Sequence, residues 1–77
     1  MTHEFKKPNF TKGDLEFRFE NQIVCIYGTK EGLENLISVI QKLTKNPSQG
    51  HVHLENEACG LLTEESENGA IAIFTKE

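Results

Sequence analysis

The sequence predicts an α+β fold in which one helix packs on a four-stranded sheet, a two-layer ββαββ sandwich. Three features of the sequence predict it. Two segments with a β pattern adjoin each other at 14–20 and 23–28, a helical stripe follows at about 30–45, and two further β-patterned segments lie at 51–56 and 70–75. Because a sheet with an apolar face needs a cover, the single helix is expected to lie across it.

The chain is long enough for one domain only. At 77 residues it is near the lower size limit for a chain that folds without disulfides or metals. Residues 1–13 are polar, contain a proline and a glycine, and have only Phe5 and Phe10 as apolar anchors. We therefore expect a flexible N-terminal arm at 1–13 and a single α+β domain at 14–77.

The first two strands are expected to form a hairpin. In the first strand, Leu15, Phe17 and Phe19 alternate with charged residues, which indicates a half-buried strand. The next segment, IVCIYG, is apolar on both faces. Asn21-Gln22 is the kind of short connection that joins two antiparallel strands.

The helix is predicted from its capping residue, its apolar stripe and its end. Thr29 can accept hydrogen bonds from the first turn, and Asn46-Pro47 stops the helix. Between them an apolar stripe at helical spacing is expected to face the sheet: Leu33, Leu36, Ile37, Ile40 and Leu43. Val39 lies off the centre of this stripe.

Patterning also predicts the order of the strands. The first and third strands carry charged residues, as edge strands do, whereas the second and fourth are apolar on both faces, as central strands are. With a right-handed crossover through the helix, the expected order is 1-2-4-3, mainly antiparallel. One sheet face then lacks a cover, and the arm, a second copy of the chain and a partner protein are the alternatives for it.

The charge distribution argues against nucleic acid as a partner. The net charge is −4, and no lysine or arginine occurs between Lys45 and Lys76, where five glutamates fall. Such a surface repels phosphate backbones. It suits a basic protein partner, or it simply keeps the protein in solution.

Cysteine usage and the apolar runs predict a cytoplasmic protein. The chain has two cysteines, Cys25 and Cys59, and its N-terminus has no apolar run of the signal-peptide type. The longest strongly apolar run, IVCIY, is too short to span a bilayer. We expect free thiols in a reducing compartment and no membrane partner.

The third strand places two histidines and a glutamate on one face. Since side chains alternate along a strand, His51, His53 and Glu55 point one way, and Val52 and Leu54 point to the core. A His-x-His pair can bind zinc, but a zinc site needs at least three protein ligands. No third ligand stands at a fixed spacing, so no metal and no cofactor is expected. A metal-binding module through His51 and His53 is the alternative.

Catalytic motifs are missing from the sequence. It has no nucleophile elbow, no phosphate-binding loop and no zinc-protease helix motif. Cys25 could act as a nucleophile with His51 or His53 as its base, but a small apolar residue in a central strand is the favoured interpretation. We therefore expect that the protein is not an enzyme.

Four short motifs stand out in the second strand, the helix and the segments after it. They are Gly28 ahead of the helix, Gly32-Leu33-x-x-Leu36 at its start, the strand His51-Val52-His53-Leu54, and Leu62 to Ser66 before the last strand. With them the chain resembles, over about residues 15–75, the family of small bacterial immunity proteins catalogued as immunity protein thirty-two in polymorphic-toxin systems. The resemblance implies a protein that binds and neutralises a toxin encoded beside it, without catalysis of its own. The arm has no counterpart in the family's pattern.

An immunity protein needs a surface for its partner. The candidate partner-binding residues lie on and after the third strand: His51, His53, Glu55, Glu57, Glu64 and Glu65. An acidic surface speeds association with a basic partner such as a basic toxin domain. Besides the metal-binding module, a small structural subunit that forms a homodimer through its uncovered sheet face is the other alternative.

Overall fold

The computed structural model describes residues 3–55 and 60–76. Within these ranges the elements follow in ββαββ order: β1 at Leu15–Glu20, β2 at Ile23–Gly28, α1 at Lys30–Lys45, a 3-10 turn at Pro47–Gln49, β3 at His51–Leu54 and β4 at Gly69–Ala72. This order confirms the predicted α+β class. No helix in the same ranges is long and apolar enough to cross a membrane.

β1 and β2 form the predicted antiparallel hairpin. Both residues of its connection at 21–22 have positive φ, 50° and 64°. Two consecutive left-handed residues are typical of a type I′ turn, whose twist matches that of the strands it joins. The register pairs Phe17 with Ile26 and Phe19 with Val24, so these four side chains share one face of the hairpin.

α1 begins and ends where the sequence predicts. Oγ1 of Thr29 accepts a hydrogen bond from the backbone N–H of Gly32 at 3.0 Å. At the other end, the N–H of Asn46 donates to the carbonyl oxygen of Lys42 at 3.1 Å. These contacts satisfy backbone groups that a helix leaves unpaired at its ends.

The buried face of α1 differs from the predicted stripe. Gly32, Leu36 and Leu43 are buried, and Val39 packs against the core. Three members of the predicted stripe are substantially exposed instead: Leu33 at 40%, Ile37 at 52% and Ile40 at 40%. The helix turns this way because it approaches the hairpin closely at Gly32, where a Cβ would overlap the carbonyl group of Asp14.

The strands form two separate two-stranded sheets rather than one four-stranded sheet. β1 pairs with β2 and β3 pairs with β4, each pair antiparallel. The predicted order 1-2-4-3 requires β2 to pair with β4, and the structure differs on this point. Residues 61–67 run along the other edge of β1 instead. Leu15 forms a parallel bridge with Leu62, and the N–H of Glu67 donates to the carbonyl of Phe17 at 2.9 Å.

The charged side chains of β1 do not all lie in water, as its pattern predicted. Glu16 and Arg18 indicated an edge strand in water, but Glu16 is only 1% exposed. Its carboxylate accepts a hydrogen bond from Oγ1 of Thr63 at 2.5 Å and is paired with the guanidinium of Arg18. A buried carboxylate is tolerated when it has such partners. The alternation of β1 therefore includes a buried carboxylate with its partners and not only solvated charges.

A leucine cluster holds the two sheets and the helix together. Leu15, Leu36, Leu54 and Leu62 are buried against one another. They come from β1, α1, β3 and the segment at 61–67, so elements far apart in sequence share one core. Val52 and Leu54 face inward from β3 as the alternation predicts, with Leu54 only 2% exposed.

The N-terminal arm lies against the hairpin face that points away from α1. Nε2 of His3 is 3.8 Å from Sγ of Cys25, and the ring of Phe5 packs edge-on against that of Tyr27. Pro8 is buried as well. The arm, one of the three covers considered for the second sheet face, therefore lies over Cys25 and Tyr27. The flexibility of the arm stays a prediction.

Candidate functional site

A groove lined by apolar side chains opens between the hairpin and α1. It has a volume of about 300 Å³. Its larger apolar residues come from both sheets and the helix, and we call this set the apolar groove: Phe17, Phe19, Val24, Ile26, Leu36, Ile40, Leu54 and Ile71. Phe19 is 68% exposed, Val24 74% and Ile26 53%. Exposed apolar residues that lie together in this way commonly mark a binding surface.

The groove exists because α1 covers only one end of the hairpin. On the helix side of β1, Leu15 is fully buried, Phe17 is half-buried and Phe19 is mostly exposed. Val24 lies opposite Phe19 in the ladder and shares this open end. The sequence signal for the groove was the doubly apolar segment IVCIYG, which was interpreted as a central strand whose uncovered apolar face lies opposite the helix.

The opposite face of the hairpin carries a connected set of polar side chains. Arg18 contacts the carboxylates of Glu16 and Glu20, with Nη1 3.2 Å from Oε2 of Glu20. The hydroxyl of Tyr27 donates to Oε1 of Glu20 at 2.7 Å. The guanidinium of Arg18 also lies 4.5 Å from the centre of the Tyr27 ring, within the range of a cation–π contact. Arg18 is therefore in direct contact with Glu16, Glu20 and Tyr27 on this face.

These contacts shift the pKa values of Tyr27 and Glu20 in opposite directions. The hydrogen bond to Glu20, followed by burial, raises the pKa of Tyr27 from 10.0 to about 12. The same hydrogen bond lowers the pKa of Glu20, and Arg18 adds to that effect. The contact thus favours the neutral phenol and the ionised carboxylate together.

We predict that Tyr27 titrates with a midpoint of about 12 in the folded protein. It is the only tyrosine and the chain has no tryptophan, so near-ultraviolet phenolate absorbance reports this group alone. In the unfolded chain the midpoint should be about 10. Since the folded pKa is the higher one, the contact stabilises the fold below about pH 10, and this contribution is lost as the pH rises toward 12.

A Glu20→Gln variant provides the control for this titration. Removal of the carboxylate should move the folded midpoint back toward the ordinary tyrosine value, because the hydrogen bond to Glu20 is the largest cause of the shift. If the midpoint stays near 12 in Glu20→Gln, the contact with Glu20 is not what holds the proton on Tyr27.

Two of the predicted partner-binding residues, His51 and His53, lie together on β3. Both are exposed, and their ring centres are 5.0 Å apart. They pair with Ala72 and Ala70 of β4, whose small side chains leave the imidazoles accessible. Glu55 is exposed just after the strand. The alternation predicted for this segment is confirmed, and its role as a partner surface stays a prediction.

Two of the predicted glutamates lie on a different segment from the histidines. Glu64 and Glu65 line a shallow pocket beside Asn9, Thr11 and Lys12 of the arm. Nζ of Lys12 is 2.5 Å from Oε1 of Glu64, and this contact raises the pKa of Lys12. Lys12 therefore balances part of the negative charge of Glu64. Glu57 lies outside the described residues.

One cluster in the described ranges has the composition of a metal site, and the sequence did not predict it. His3, Glu20 and Cys25 have ligand atoms that all lie within 4.8 Å of one another. The signal that could have found this cluster is the turn at 21–22, which fixes the register and places Cys25 on the face of Glu20.

No protein-family model, no curated protein and no solved structure matches this chain. The resemblance to the immunity protein family therefore stays a prediction.

Proposed function

We propose that this protein binds and neutralises a cognate bacterial toxin domain, as an immunity protein, and that the contact centres on the apolar groove. The observation that carries the proposal is the exposure of Phe19, Val24 and Ile26 on the helix side of the hairpin. Burial of such a surface is the main favourable term in protein association. The proposed role is stoichiometric binding in the bacterial cytoplasm, with no catalytic step and no cofactor.

The composition of the groove suits a protein partner. Interfaces have an apolar centre with aromatic residues and a polar rim. Here Phe19 supplies the aromatic residue, and Ile26 and Ile40 supply aliphatic surface on two different elements. Glu67 and Asn68 stand at the border of the same groove. The site thus has the arrangement in which a few central residues contribute most of the binding energy.

Charge favours a basic partner over a second copy of the chain. The net charge is −4, and two copies brought face to face would repel each other. A basic toxin domain would instead be attracted, which raises the rate of association. In this proposal three of the predicted acidic residues, Glu55, Glu57 and Glu65, steer the partner toward the groove.

The proposal is tested by co-expression with the toxic domain encoded by the adjacent gene. We expect the wild-type chain to restore growth and the double variant Val24→Asp, Ile26→Asp to fail. Two buried aspartates without partners would weaken the complex strongly, because each must lose its hydration. In the free protein both positions are exposed, so the variant should fold normally, which circular dichroism checks.

A matched control is available at Phe74, which is 88% exposed and lies after β4. Phe74→Asp removes an exposed apolar side chain and adds the same charge, and growth should be restored as by wild type. Loss of protection in both variants would point to a general effect of charge. Full protection by Val24→Asp, Ile26→Asp would exclude the groove, and no protection by wild type would remove the support for immunity against that toxin.

A further inference from the structure

We propose that His3, Glu20 and Cys25 form a binding site for a divalent transition-metal ion of the zinc type, which fastens the N-terminal arm to the hairpin. The three residues come from the arm, the end of β1 and the middle of β2. Nε2 of His3 is 3.3 Å from Oε1 of Glu20 and 3.8 Å from Sγ of Cys25. This site is independent of the proposed toxin contact.

The separations between these atoms match those around a tetrahedral zinc ion. With metal–ligand lengths of about 2.3 Å to sulfur and about 2.0–2.2 Å to nitrogen and oxygen, neighbouring ligand atoms stand roughly 3.3–3.6 Å apart. The separation between His3 and Glu20, 3.3 Å, lies within this range, and that between His3 and Cys25, 3.8 Å, slightly exceeds it. The third, between Glu20 and Cys25, lies within 4.8 Å.

The types of ligand point to zinc and its neighbours rather than to magnesium or calcium. A thiolate and an imidazole are ligands that zinc accepts readily, whereas magnesium and calcium select oxygen. A thiolate and a carboxylate also balance the two positive charges of the ion. Glu20 would bind through Oε1 alone, because Arg18 occupies Oε2.

Two neighbouring side chains can orient the ligands. The hydroxyl of Tyr27 donates to Oε1 of Glu20 at 2.7 Å and fixes the carboxylate. The carboxamide nitrogen of Asn21 is 3.4 Å from Nδ1 of His3. When Nε2 binds a metal, Nδ1 carries the proton, and the Asn21 carboxamide can turn its oxygen toward it. Ligating histidines in metal sites commonly have such a partner.

The site is sheltered but reachable. Cys25 is 4% exposed, while the side chains of His3 and Glu20 are 12% and 32% exposed. An ion can therefore enter from the side of Glu20, where water can complete the coordination. Without the ion, the thiol of Cys25 donates weakly to the carbonyl of Ile23 at 3.8 Å.

The test is a cobalt(II) titration of the untagged full chain carrying Cys59→Ser, in which Cys25 is the remaining thiol. Cobalt bound to a thiolate gives a charge-transfer absorption, and zinc should displace it with a stoichiometry of one per chain. We expect Cys25→Ser to abolish this absorption. His3→Ala should weaken binding at least about tenfold, and Tyr27→Phe should weaken it about tenfold by removing an orienting contact.

A double variant at His51 and His53, both replaced by alanine, is the control for the exposed pair on β3 and should leave the titration unchanged. A second readout does not use the thiolate absorption. Zinc should slow tryptic cleavage after the exposed Lys6 in the parent chain and not in His3→Ala, which leaves the hairpin intact. Absence of a thiolate signal, or a signal that survives His3→Ala at full affinity, would overturn the proposal.

Discussion

Leu36→Ala is expected to lower the free energy of unfolding by about 2–5 kcal/mol. Leu36 is 9% exposed and belongs to the leucine cluster that joins α1 to β1, β3 and the segment at 61–67. Removal of its side chain leaves a cavity at the point where both sheets meet the helix. A loss of this size is a large part of the stability of a domain of this length. Denaturant unfolding followed by circular dichroism measures it.

Ile37→Ala, one residue further along α1, is the matched control. It removes a side chain of the same size, but Ile37 is 52% exposed, so its loss should cost less than about 1 kcal/mol. Alanine also has the higher helix propensity, which offsets part of that cost. Equal destabilisation by the two variants would contradict the orientation of α1, since it would mean that both sides of the helix are buried alike.

Arg18→Met should destabilise the fold by about 3–5 kcal/mol, because it leaves the carboxylate of Glu16 buried without its cationic partner. Glu16 is 1% exposed, and within the part of the chain that the structure describes it keeps the hydrogen bond from Thr63 after the substitution. Methionine preserves much of the aliphatic length of arginine, so the loss reports the charge more than the packing. Thermal or denaturant unfolding of the purified variant gives the value.

Two further variants show whether the buried charge is the cause. Lys12→Met breaks the ion pair with Glu64, but both side chains are exposed, so unfolding should be unchanged within error. Glu16→Met in the Arg18→Met background removes the unpaired charge and should recover much of the lost stability. If the double variant is less stable than Arg18→Met alone, the carboxylate is not the source of the penalty.

The local elements of the fold could be predicted because each is encoded by neighbouring residues. The hairpin follows from two β-patterned segments around a two-residue turn, and α1 follows from the cap at Thr29 and the break at Pro47. These signals act over a few positions, and the structure confirms them. The buried face of α1 was predicted less well. It depends on the close approach of Gly32 to Asp14 beside the hairpin, which the pattern of the helix alone does not show.

The arrangement of the strands could not be predicted from the same signals. The charge alternation of β1 looked like an edge strand, yet Glu16 is buried with partners that are 2 and 47 positions away in sequence. The apolar residues of β2 looked like a central strand, yet Val24 and Ile26 are exposed. The charge and hydrophobicity of a side chain limit the surroundings that it can occupy, but its tertiary contacts decide where it lies.

The candidate sites could also be predicted only where a single element defines them. The face shared by His51 and His53 was predicted, because alternation in a single strand defines it. The apolar groove and the cluster of His3, Glu20 and Cys25 were not predicted, because each combines segments that meet only in the folded chain. The contacts that His3 and Phe5 of the arm make with β2 likewise join distant segments, and the flexibility expected of the arm stays a prediction.

Amide hydrogen exchange, measured on the protein alone and in complex with its toxin domain, tests most directly whether the apolar groove is the partner surface. We expect exchange to slow in peptides that cover residues 19–26 and 36–40, since a partner in the groove would cover the open end of the hairpin and the adjoining turn of α1. Residues 51–53 should change little, because the histidines of β3 lie on the face turned away from Leu54 and the core. Slowed exchange at 51–53 with no change at 19–26 would contradict the proposed surface.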